Sequence, residues 1–108
     1  MRTGKTMREL PLPIAPDADD AHEMIRFWIL DGESHLSLNI GLFAPEDEAR
    51  MFGSMLADIA LHAVRGMTQA NPDLLTRKTE LFAEMDLAYR ERLTQSPEPT
   101  GTLQGSRH

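Results

Sequence analysis

The chain has no cysteine. Disulfides, thiolate nucleophiles and cysteine-ligated zinc are therefore excluded. Aromatic residues make up 6% of its 108 positions, with one Trp and one Tyr. Basic charge is scarce as well: 11 Lys and Arg stand against 17 Asp and Glu, a net charge of -6. A surface of this sign repels phosphate backbones, so nucleic acid is not an expected partner. No apolar run approaches the roughly 20 residues that span a bilayer, so no membrane partner is expected. The start, Met1 to Arg8, is basic, but Glu9, Pro11, Pro13 and Pro16 follow where a secretory signal needs an unbroken apolar stretch. A cytoplasmic location is the expectation that remains.

Signatures of catalysis are missing too. His22, His35, His62 and His108 stand in no metal-ligand spacing, and no H-E-x-x-H occurs. There is no P-loop, no G-x-G-x-x-G and no G-x-S-x-G. Ser34 and His35 are neighbours in an extended run, so their side chains point to opposite faces and cannot act as nucleophile and base. No cofactor, no metal site and no catalytic residue is expected, and a non-enzyme is favoured with the question of activity left open.

What is present is ordinary globular material: 41% hydrophobic and 26% charged residues. One domain is expected at this length, burying roughly two-thirds of its unfolded surface. Its clearest element is a hairpin. Leu36, Leu38, Ile40 and Leu42 alternate with His35, Ser37, Asn39 and Gly41, the period of a half-buried strand. Met24-Ile25-Arg26-Phe27-Trp28-Ile29 before it is rich in strand formers. Asp31-Gly32 is a strong turn signal. Placing Ile25, Phe27 and Ile29 on the face of Leu36, Leu38 and Ile40 demands an even loop, either two residues or four. In the two-residue register Arg26 faces Ser37 and Trp28 faces His35. Upstream, Leu10-Pro-Leu-Pro-Ile14 reads equally as a Pro-rich edge strand, which would make the sheet three-stranded, or as a polyproline-like arm.

Two helices follow. Pro45 suits a first helical turn, and Glu46, Asp47 and Glu48 complement the positive end of the helix dipole. The polar residues of this helix form one narrow stripe: Arg50, Ser54, Asp58, His62 and Arg65. Almost all the rest is apolar, so the helix is expected to be covered on more than one side. Gly66 is a candidate stop, with Gln69 the further limit. Asn71-Pro72-Asp73 signals a second start. Leu75, Phe82, Met85 and Tyr89 share one face of that helix, which is expected to end near Leu93.

These elements predict an α+β fold: an antiparallel hairpin packed against two helices. Residues 1–9 read as a flexible arm, 10–93 as the domain and 94–108 as a disordered polar tail. The expected core is Ile25, Phe27, Ile29, Leu36, Leu38, Ile40, Phe52, Leu56, Ile59, Ala63, Leu75, Phe82 and Met85.

Two functional readings are expected from the residues. The first is a non-enzymatic module that self-associates, most simply as a homodimer. Its candidate interface is Met24 and Trp28 on the outer hairpin face, with Ala49, Gly53 and Ala57 at spacing four on the first helix. A mid-helix glycine costs about 1 kcal/mol relative to alanine, and close approach of another backbone, or equally of the chain's own hairpin, would explain it. The second is a small anionic ligand held by Arg26, His35, Ser37 and Asn39, with Trp28 as a wall, although the same set reads better as a solvated sheet face or as polar contacts at an interface. Asp58 and His62, four residues apart, could form an acid–base pair but read better as a helix-surface contact.

The pattern Glu23-Met-Ile-Arg-Phe-Trp-Ile-x-Asp-Gly32, followed by His35-Leu-Ser-Leu-Asn-Ile-Gly41, resembles a family of small bacterial proteins known as a domain of unknown function. Leu10-Pro-Leu-Pro13 and the Leu56-Ala-Asp-Ile-Ala-x-His62 run are similar as well. The likeness spans about Leu10 to Tyr89. It implies a free-standing bacterial polypeptide and supplies no catalytic residue. The basic start and the polar tail depart from the family pattern.

Overall fold

The computed structural model describes residues 7–95 and the backbone of 102–105. Strand β1 is Ile25–Leu30 and β2 is Glu33–Ile40, paired antiparallel. Between them, Asp31 and Gly32 have φ of 54° and 77°. Positive φ at both central residues is the type I′ geometry, whose twist matches that of the flanking strands. Glycine takes it without a Cβ penalty, and aspartate is among the few other residues that tolerate it. The two-residue loop then sets the whole register: Ile25 faces Leu38, Arg26 faces Ser37, Phe27 faces Leu36 and Trp28 faces His35. The Asn39 N–H extends the ladder by donating to the Met24 carbonyl at 3.0 Å. A four-residue segment, Thr102–Gly105, lies parallel along β2 on its other side. It falls within the stretch read as a tail; residues 96–101 and 106–108, like 1–6, lie outside the described residues.

Helix α1 runs from Pro45 to Ala70, with Pro45 in the first turn and Glu46, Asp47 and Glu48 beside it. The Asp47 N–H donates to the Ala44 carbonyl at 2.9 Å, which closes the first turn. The helix passes through Gly66 and stops at Asn71, whose N–H still reaches the Met67 carbonyl at 2.9 Å. Asn71 turns extended there and its side chain accepts from the Asp73 N–H at 3.3 Å, opening the next element. That element begins as a 3-10 turn, Pro72–Arg77, and continues as helix α2, Lys78–Gln95. The expected second start at Asn71-Pro72-Asp73 is thus where the chain turns. The 3-10 opening was not legible, and α2 runs two residues past the expected end.

The fold is α+β, one hairpin and two helices, but its interior is not where the pattern placed it. Val64 is 3% exposed and Thr68 is 5% exposed; among the described residues these two alone are buried. They sit on the α1 face that meets α2 and the 3-10 turn, with Ala60, Met67, Leu74, Leu81, Phe82 and Met85 half-buried around them. The Thr68 hydroxyl satisfies itself by donating to the Arg65 carbonyl at 3.1 Å. The expected core is therefore corrected. Phe27 is 57% exposed, Ile29 71%, Leu56 47% and Ile59 51%, and Ala63 and Leu75 are open as well. The reason is that the hairpin does not sit on the helices: among the described residues, no strand backbone comes within 8 Å (Cα to Cα) of α1 or α2. Leu10 to Ile14 forms no strand and its Leu and Ile side chains are exposed. The edge-strand reading of that segment is therefore corrected.

Candidate functional site

The register places Arg26, His35, Ser37 and Asn39 on one face of the hairpin together with Met24 and Trp28, as the two-residue loop predicted. Arg26 is exposed, and the other five are half-buried. Its guanidinium is already engaged. Nε donates to Glu23 Oε2 at 3.1 Å and Nη2 to Glu23 Oε1 at 3.0 Å, a two-bond fork. Glu9 lies 3.9 Å from the same Nη2. The hydrogen bond and charge of Glu23 raise the Arg26 pKa further, so the side chain is a permanent cation with its charge locally neutralised. An incoming anion would meet two carboxylates at this cation. No sequence pattern announced the Glu23 fork, although an extended chain entering β1 with an acid three residues before an Arg allows it.

The second candidate surface is on α1. Ala49, Gly53 and Ala57 are all exposed, and a Cβ built on Gly53 would meet nothing within 4 Å. The same holds for Gly66. The hairpin members of that set, Met24 and Trp28, are half-covered within the chain itself. Beside the small residues lies an apolar surface that had been assigned to the core: Phe52 half-buried, then Leu56, Ile59 and Ala63 open. The available signal was the width of the apolar band on α1, more than one neighbouring helix can cover.

Chemistry-bearing clusters are sparse. Among the described residues, no group of His, Asp and Glu is placed to hold a metal ion. Asp58 and His62 are exposed on α1, and no hydrogen bond or ion pair joins them. Among the described residues, no helix is long and apolar enough to cross a membrane.

Fold and surface together define a small α+β protein whose apolar side chains are displayed on a hairpin and a long helix instead of being gathered inside. The chain belongs to the family described as Domain of unknown function (DUF5076), whose family model matches residues 9–95. The resemblance seen from Leu10 to Tyr89 lies within that match. No curated protein and no solved structure matches the chain.

Proposed function

We propose that this protein is a non-enzymatic interaction module that works as a homodimer in a bacterial cytoplasm. One observation carries the reading: an acidic chain with 41% hydrophobic residues leaves Phe27, Ile29, Leu56 and Ile59 about half open or more. Fully burying one such side chain is worth about 1.5–3 kcal/mol, so each forgoes about 1 kcal/mol while it stays wet. Contiguous apolar surface of this kind marks an interaction site. The hairpin's apolar face and the open flank of α1 supply it. Met24 and Trp28 contribute less, because the chain already half-covers them.

Sedimentation equilibrium on the full chain tests this. A dimer at micromolar concentration is expected, and a monomer at several hundred micromolar would refute it. The alternative is an anionic ligand on the outer hairpin face. It is favoured by the convergence of Arg26, His35, Ser37 and Asn39 and disfavoured by the Glu23 fork on Arg26. A thermal-shift screen with anionic metabolites separates the two: ligands that raise the melting temperature of the wild type, but not of Arg26→Ala, would support the alternative.

A further inference from the structure

We infer that the dimer is built by α1 pairing with α1 of a second copy, antiparallel, about a two-fold axis between Ala57 and Asp58. This rests on the self-association reading and specifies its surface. The argument begins with spacing. Ala49, Phe52, Leu56, Ile59, Ala63 and Gly66 follow one another at steps of 3, 4, 3, 4 and 3. That is the spacing by which one helix meets another along a coiled-coil seam. All six lie in α1, and all are exposed except the half-buried Phe52. Burial falls instead on the face carrying Ala60, Val64 and Thr68, so the seam stays open after the protomer has folded.

The occupant follows from the order of sizes along the seam. Antiparallel pairing about the stated axis sets Leu56 against Ile59 of the second copy, Phe52 against Ala63, and Ala49 against Gly66. Each bulky ring meets a small residue, and two branched aliphatics meet at the centre. A parallel pair would put Phe52 on Phe52 and leave Ala63 and Gly66 facing themselves across a void. The bare Gly66, with nothing within 4 Å of its Cβ position, then sits where Ala49 of the second copy approaches. Antiparallel copies also oppose the two helix dipoles, which a parallel pair would align. Gly53, Met55, Ala60 and Met67 flank the seam and are uncharged, as the core of an interface requires.

The test uses the full chain. Leu56→Glu is measured by sedimentation equilibrium beside Leu61→Glu, a control on the opposite side of α1, with helix content followed by circular dichroism. Gln69→Cys, unique in a chain without cysteine, is spin-labelled for a distance measurement on otherwise wild-type protein. Expected are a dimeric wild type and control, a dissociation constant raised about thirtyfold or more by Leu56→Glu, and labels about 35 Å apart along the helix axis. A monomeric wild type overturns both the pairing and the assembly reading. A dimer that survives Leu56→Glu with its helices intact leaves assembly standing and overturns this seam. Labels within about 20 Å of one another overturn the antiparallel order.

Discussion

Val64→Ala removes two methyl-sized groups from the most buried apolar position on the chain, a side chain 3% exposed between α1 and α2. Transfer alone is worth about 1.6 kcal/mol, at about 0.8 kcal/mol for each carbon returned to water. The cavity left behind adds to this, because two helices crossing at one point cannot fully collapse onto it, and the total is about 2–2.5 kcal/mol. For a domain of this size that lowers the melting temperature by about 10 °C. Leu61→Ala deletes more carbon from the same helix but from a side chain already 54% exposed. Its cost is about 1 kcal/mol, since half of its transfer free energy was never gained. Urea unfolding of both variants by far-ultraviolet circular dichroism, at one protein concentration, compares them directly. The midpoint should fall clearly for Val64→Ala, with the slope unchanged. A loss below about 0.5 kcal/mol for Val64→Ala, or an equal loss for Leu61→Ala, would refute the claim that the helix crossing at Val64 is the protomer's core.

Gly32→Ala forces a Cβ onto a residue at φ 77°; a loss of about 1 kcal/mol or more in thermal stability is expected, and an unchanged melting temperature would exclude the type I′ turn. Gly53→Ala adds a methyl into open space on a helix, so a gain of about 0.5–1 kcal/mol is expected on thermal unfolding. A loss instead would place a partner's backbone on the Ala49-Gly53-Ala57 stripe and move the interface away from the seam. Asn71→Ala removes the side-chain acceptor for the Asp73 N–H and should cost about 1 kcal/mol, while Asn71→Ser should retain most of the stability.

Residues 24–40 were legible because everything that sets them is local. Alternation chose the faces, Asp31-Gly32 chose the turn, and the turn's length left one register consistent with both. The same is true of Pro45 at the start of α1 and of the Asn71-Pro72-Asp73 break, where the deciding contacts span a few residues. The outer-face set of Arg26, His35, Ser37 and Asn39 came together for this reason: it is a corollary of the register. Its electrostatics was not visible, because the fork from Glu23 depends on the path of the chain into β1.

Which side of α1 would be covered could not be read from its composition. A helix apolar around most of its circumference carries no phase, so the expected core took Leu56, Ile59 and Ala63 where the structure buries Val64 and Thr68. The 3-10 turn after Asn71 sets the direction in which α2 returns, and the structure buries Val64 and Thr68 while Leu56 stays open. Nor did alternation say that the hairpin's apolar face would find a neighbour. Periodicity reports that a face can be buried; whether it is depends on chain path and on partners, which no single segment encodes.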